Sequence, residues 1–293
     1  MTRLFGLKKR KISSLGLGVF DGMHCGHHEI WKRSTALLTF YPHPDIFLAK
    51  NKELKMLTTL KELRFYVQDL IVLRFNHEIA KMTARDFLNT ILHAQLEPQT
   101  IVVGYDFRFG YKQEGDSALL MKWTKEHGIG LEIIKPFPNK ETPAKSSLIR
   151  EKIMQDKFDQ ARRLLGHSYL VIGTVIKGES RGRELGFPTA NLHIHPDKLM
   201  PNSGVYQGHV LYRRTPYKAL VYIGTKPTFG RHEIHMEVFL DDFKGDLYGK
   251  TLKVFIEKKL RNDMCFADKN ELIKQMKKDL MVLKTNEGQD PYS

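Results

Sequence analysis

The sequence predicts two domains of different class: an α/β layered domain, then a small antiparallel β-barrel closed off by a terminal helix. Three observations carry this expectation. In the first half, apolar strand-like runs alternate with helix-like stretches, the texture of a layered β/α domain. After about residue 170, short strands follow one another, divided by Gly, Pro and Asn, with almost no helical periodicity. Between them Ser147 to Leu165 is charged, helix-prone and free of Pro and Gly, and reads as a linking helix. The boundaries this implies are 1–152 for the first domain, 153–165 for the link and 166–293 for the second.

Taken in order, Leu15–Phe20, ALLTF from Ala36, LIVLRF from Leu70 and IVVG from Ile101 are short apolar runs suited to buried parallel strands. Ala84–Leu96 places Phe87, Leu88, Ile91 and Leu92 on one helical stripe, and Ser117–His127 forms a second amphipathic helix before Gly128. In the second half the strands are VIGTVI, GVYQGHVLY, ALVYIG, HEIHMEVFLDDF and KTLKVFIEKKL. A helix over about Asn270–Leu283 then offers Leu272, Ile273, Met276 and Leu280 as its packing stripe.

Composition narrows the function. With 41% apolar residues in 293, global disorder is excluded, and a formal charge of +14 favours polyanionic partners such as nucleotides, phosphates or nucleic acid. The two cysteines, Cys25 and Cys265, stand in unrelated contexts, which argues against a disulfide framework and for a reducing cytoplasm. No 18-residue apolar stretch is present, so the expectation is a soluble protein without a membrane partner.

The first chemical constellation is GVFDGMHCGHH, Gly18–His28, at the end of an apolar strand. Glycines at 18, 22 and 26 let backbone approach a phosphate closely, and His24 and His27 can donate to phosphate oxygens. Two other readings compete: a metal held by His24, Cys25, His27 and His28, or a turn whose histidines are simply exposed.

GVFDGMHCGH resembles the GxFDGxHxGH signature of the adenylyltransferase module of bifunctional bacterial riboflavin kinase/FAD synthetases. TFYPHP, Thr39–Pro44, and VVGYDFRFG, Val102–Gly110, resemble later segments of that module in the same order. The resemblance implies a Rossmann-like nucleotidylyltransferase fold in which Gly18, Phe20, Asp21, Gly22 and Gly26 line ATP and His24 and His27 are catalytic. These histidines neutralise charge on the triphosphate while FMN's own phosphate attacks the α-phosphorus. It further implies ATP contacts from Ser147 and Arg150 in SSLIR, and flavin contacts from Asp106, Phe107 and Phe109, whose rings could instead pack into the core.

SSLIR is one residue shorter than the family's SSTxIR-type motif. Between His28 and Thr35 stand only the six residues EIWKRS, where a crossover between parallel strands takes about a dozen or more. These shortened segments motivate an alternative, a monofunctional riboflavin kinase carrying a degraded N-terminal domain.

GTVIKGESRGRELGFPTANL, Gly173–Leu192, resembles the riboflavin kinase signature of the same family almost without gaps, and GVYQGHV, IGTKPTFG, MEVFLDDF and DLYGKTLKV follow in the family's order. Kinase chemistry needs a cation on the phosphates and a base beside a primary alcohol. The resemblance implies that Gly178, Arg181, Gly182, Arg183, Gly186 and Pro188 close over ATP, joined by Thr189 and Asn191, whose hard oxygens also suit Mg²⁺. Lys177 could add charge beside the two arginines. The plainer reading of PTAN is a turn with a capping Asn.

Glu237 is the candidate base. In HEIHMEVFLDD it shares a strand face with His235 and Phe239, while Met236, Val238 and Leu240 point oppositely, although alone it could be a solvated strand carboxylate. The MEV segment aligns with the family's catalytic glutamate. The expected substrates are ATP, riboflavin and FMN, with FAD as final product and Mg²⁺ as cofactor. A basic RNA-binding barrel is the remote alternative, but basic residues are scattered apart from Lys8–Lys11 and nucleic acid is not an expected partner. Oligomeric state is left open.

Overall fold

The computed structural model describes residues 7–48, 53–136, 143–178, 182, 186–228 and 231–285, with backbone alone for 226–228 and 231–233. The chain divides into two compact units, Met1–Lys145 and Ser146–Ser293.

The first unit is a five-stranded parallel sheet in the order β3-β2-β1-β4-β5. Its strands are β1 Ile12–Leu17, β2 Ala36–Tyr41, β3 Leu70–Arg74, β4 Pro98–Gly104 and β5 Gly130–Ile134. Helix α1 (Cys25–Lys32) links β1 to β2, the short α2 (Pro44–Phe47) follows β2, and α3 (Leu60–Tyr66) precedes β3. Thr59 and Glu62 close a capping box at the start of α3. Helix α4 (His77–Lys81) and the single turn α5 (Ala84–Asp86) follow, α5 running on into a π-helical segment, Phe87–Leu96, before β4; α6 (Ser117–Glu126) joins β4 to β5.

Alternation along the strands sends side chains to two separate cores. Leu15, Leu17, Leu38 and Ile101 pack with the Phe87–Leu96 segment and α6, whereas Leu37 and Val102 pack with Phe20, Met23 and Ile30. Phe87, Leu88, Ile91 and Leu92 are all buried, as their stripe predicts.

In the second unit the expected linking helix is two helices, α7 (Ser146–Met154) and α8 (Phe158–Leu165), broken at Asp156 in a left-handed conformation (φ 58°). Both fall in the same unit as the barrel rather than between domains. The Asp156 carboxylate holds the break against the barrel, accepting from Tyr206 Oη and, at 2.8 Å, from Lys259 Nζ, and the Phe158 ring stands edge-on to Tyr206.

Six antiparallel strands close the barrel in the order β10-β7-β6-β11-β8-β9. They are β6 Tyr169–Ile176, β7 Thr189–His193, β8 Gly204–Tyr212, β9 Thr215–Thr228, β10 Arg231–Leu240 and β11 Thr251–Arg261. Closure removes free edges. Ala190, Leu192, Val221, Ile223, Met236 and Val238 are buried and face inward, so their odd-even alternates face out.

The terminal helix α9 (Lys269–Thr285) packs Leu280 and Leu283 over Val205, Leu220, Tyr222 and Phe239. Asp279 lies in the same stripe, 6% exposed, and takes a two-pronged ion pair from Arg261 of β11.

Candidate active sites

In the first unit, β1 and β4 lie side by side at the centre of the sheet, but the chain leaves them in opposite directions. Their carboxyl ends therefore flank a topological switch point, where open α/β sheets bind ligands. Both expected motifs emerge there: Gly18–His28 follows β1, and Tyr105–Gly110 follows β4.

The first motif is a loop running directly into α1. Phe20, Gly22 and Met23 have positive φ (57°, 100° and 41°), and the Phe20 side chain is fully buried with Met23. Asp21 turns inward too: its Oδ1 accepts from the Thr58 N–H at 2.9 Å, and the Gly22 N–H donates to Thr58 Oγ1. At Phe20 and Asp21, then, the side chains shape the loop from within.

His24 caps α1, its Nδ1 accepting from the His27 N–H, and the two imidazoles stack at 3.6 Å between centroids. Gly26 lies directly beneath, where a Cβ would sit 3.3 Å from the His24 ring. Burial first, then the neighbouring His24 and His28, hold the His27 imidazole well below the ordinary histidine range, so it is neutral at pH 7. Its Nδ1 is buried with no protein partner, an unusual state that a ligand oxygen would relieve.

Burial also pushes the Cys25 thiol up, against its acting as a thiolate. Among the described residues no three His, Cys, Asp or Glu side chains converge as metal ligands.

The crossover that looked too short in sequence is complete, because α1 begins inside the motif: Cys25–His28 are its first turn, and β1 still pairs with β2 from Leu15↔Ala36. In TFYPHP, Thr39 donates to the Val19 carbonyl beneath the loop, and His43 caps α2. After β4, Asp106 is exposed and Phe107 partly buried. Phe109 is only 7% exposed, stacked on Phe107 and packed against Phe87, so it belongs to the core. Ser147 and Arg150 lie on α7 in the second unit.

In the barrel, PTAN is not a turn. Thr189 opens β7, so Thr189 and Asn191 project from one face of a strand. Across the ladders Asn191 stands opposite Glu237 of β10, which in turn stands opposite Tyr222 of β9. All four side chains share the outward face.

Glu237 Oε2 accepts from Thr189 Oγ1 at 2.6 Å, and its Oε1 lies 2.6 Å from His235 Nε2. The Tyr222 hydroxyl donates to Asp263, and burial followed by that carboxylate pushes the phenol up to about 12. Phe187 and Phe239 meet at 6.0 Å beside this face.

Two glycines of the loop before β7 abut the same residues. A Cβ on Gly178 would collide with the Asn191 amide, and one on Gly182 with the Phe187 carbonyl, 3.0 Å from Thr189 Oγ1. Gly186 has a φ of 82°, which favours glycine, and Pro188 leads into the strand. Lys177 is exposed; Arg181 and Arg183 lie outside the described residues. Sequence reasoning had no means of finding Tyr222, whose role in this face depends on register.

Known families match both halves. A model described as FAD synthetase covers residues 7–148 and one described as riboflavin kinase covers 165–286. Proteins named bifunctional riboflavin kinase/FMN adenylyltransferase are similar over nearly the whole length: 32% identity in Buchnera aphidicola of Schizaphis graminum, covering 93% of each chain, and 34% in Escherichia coli K12, covering 90% of each. A Streptococcus pneumoniae crystal structure named a macrolide-efflux protein aligns with a TM-score of 0.82 at 29% identity over 96% of each chain. No helix among the described residues here is long and apolar enough to cross a membrane. With both motif sets in place on a parallel α/β sheet and a closed barrel, the chain belongs to the family of bifunctional riboflavin kinase/FMN adenylyltransferases.

Proposed function

We propose that the barrel phosphorylates riboflavin with ATP to give FMN, and that the α/β unit adenylylates FMN with a second ATP to give FAD and pyrophosphate. The observation that carries this reading is the convergence of Thr189, Asn191 and Glu237 on one face of the paired strands β7 and β10, with Thr189 bonded to Glu237.

In the kinase step Glu237 accepts the proton of riboflavin's primary alcohol. The alcohol oxygen bonds to the γ-phosphorus, the bond from phosphorus to the β–γ bridging oxygen breaks, and ADP leaves with the electron pair. Thr189 and Asn191 supply one hydroxyl and one amide oxygen, a set suited to a hard cation that keeps its remaining sites for phosphate and water. The glycine cradle around them fits that use, since a methyl at Gly178 would fill the space beside Asn191. Mg²⁺ bound there would neutralise phosphate charge; Thr189 and Asn191 would hold it.

In the adenylyl step FMN's phosphate oxygen attacks the α-phosphorus of ATP and pyrophosphate departs. His27 enters as a neutral imidazole stacked on His24, both rings offered to phosphate oxygens, and approach of the triphosphate favours the imidazolium of His27. Phe107 is the ring available to a flavin, with Asp106 exposed beside it, and the backbone of Gly18, Gly22 and Gly26 lines the phosphate path. Ser147, Arg150, Arg181 and Arg183 are assigned to ATP phosphates by motif position. The protein is read as cytoplasmic, with small-molecule partners only.

Purified protein given riboflavin, ATP and Mg²⁺ is expected to form FMN and ADP; given FMN, it is expected to form FAD and pyrophosphate. A complete N-terminal crossover favours two activities over a kinase with a vestigial partner domain. Absence of FAD at a catalytic rate would reverse that preference.

A further inference from the structure

His235 lies two residues before Glu237 on the same outward face of β10, and its Nε2 is 2.6 Å from Glu237 Oε1. An ionised carboxylate only accepts, so the imidazole donates and its proton is fixed on Nε2. The other oxygen, Oε2, receives Thr189. Donors at opposite ends of one carboxylate set its rotation as well as its position.

His235 is itself confined. Its side chain is 15% exposed, with the Tyr222 ring edge-on at 6.0 Å. The residue opposite it on β9 is Gly224, where a Cβ would collide with the Tyr222 hydroxyl. The phenol thus occupies the space that a side chain would take beside the imidazole.

We propose that His235 is a positioning residue for riboflavin phosphorylation: it holds Oε1 so that Oε2 is the oxygen that takes the alcohol's proton. This rests on Glu237 being the base. On this reading Oε2 is shared between the Thr189 hydroxyl and the substrate alcohol. His235 retains its own proton throughout and touches no reacting atom.

The test uses the full-length protein and both half-reactions. His235→Ala is expected to lower kcat for FMN formation roughly tenfold, equivalent to about 1.4 kcal/mol, with KM for riboflavin and ATP within about twofold. His235→Gln, which keeps an N–H donor of similar reach, is expected to recover most of that loss, and FMN-to-FAD conversion is expected to stay unchanged in both. A merely structural role predicts neither the kcat-only loss nor the rescue.

Wild-type kcat in His235→Ala, equal losses in Ala and Gln, or a change confined to KM would overturn the inference. Should alanine unfold the barrel, as read by thermal melting, His235→Asn takes its place: too short to reach Oε1, it must show the same kcat loss. Retention of FMN formation by Glu237→Ala would instead remove the base assignment, whatever His235 does.

Discussion

On the proposed assignments, the two halves meet a triphosphate with opposite materials. In the α/β unit the groups are two stacked imidazoles following a parallel strand, His24 buried and His27 held neutral with its buried Nδ1 unpartnered. In the barrel they are a carboxylate, a hydroxyl and an amide on the outward face of neighbouring strands, the hydroxyl already bonded to the carboxylate. Adenylyl transfer brings its own nucleophile, an ionised phosphate, and asks only for positioning and charge relief. An alcohol must lose a proton, which is the role proposed for Glu237 in the second site. The difference in side chains follows from the difference in acceptors.

The sharpest way to break this contrast is Glu237→Ala. Riboflavin phosphorylation is expected to fall by about 10²–10⁴-fold, the usual contribution of a positioned base, while FMN adenylylation stays within about twofold in a separate assay. The reciprocal variant, His27→Ala, is expected to cost adenylyl transfer roughly 10²–10³-fold, as for loss of one charge-stabilising donor, and to spare FMN formation. Equal losses of both activities from either substitution would contradict two independent centres.

A glycine in each half sharpens the comparison further. Gly178→Ala drives a methyl into the Asn191 amide, and its expected effect is a rise of roughly tenfold in the kinase KM for ATP, about 1.4 kcal/mol. Gly26→Ala meets the His24 ring at 3.3 Å, a contact the ring can relieve by a small shift, so adenylyl transfer should fall by less.

The smallest effects concern pH, and particular side chains in each half probe one end of the scale. His27 and His28 are held below 6.5 in the fold, so the unfolded chain binds more protons and stability of the first half is lost as pH falls below about 6.5. Trp31 and Trp123 both lie in that half, and their emission during urea unfolding reports it. Tyr222 is raised from 10.0 to about 12, so its contribution to the barrel is present below pH 10 and is lost as pH rises towards 12. Tyr222→Phe should flatten that alkaline loss.

Much of this architecture was legible because hydrophobic period is a local property. The strands at Ala36, Leu70, Gly204 and Thr251 and the buried stripe Phe87–Leu92 stand where periodicity puts them. Three features were hidden for identifiable reasons. β7 is five residues long and directly follows Pro188, so its local signal is that of a turn, and only pairing with β6 and β10 makes it a strand. Helix α1 starts within a glycine-rich motif, where loop chemistry masks helical periodicity. A continuous charged segment without Pro or Gly breaks at Asp156, whose carboxylate pairs with Lys259, 103 residues away in sequence and outside any local signal. The Thr189–Glu237 bond spans 48 residues of sequence, and no spacing rule brings those positions together.

That anchoring at Asp156 also says where the molecule can be cut. Phe158, Ala161, Leu164 and Leu165 of α8 are buried, and the Asn202 amide reaches back to the Met154 carbonyl, so a fragment starting at residue 165 would expose apolar surface and orphan polar groups. Severing the chain just before Ser146 leaves those contacts whole. The smallest autonomous kinase should therefore carry a helical collar of twenty residues ahead of its first strand's sequence signature, Ser146–Leu165.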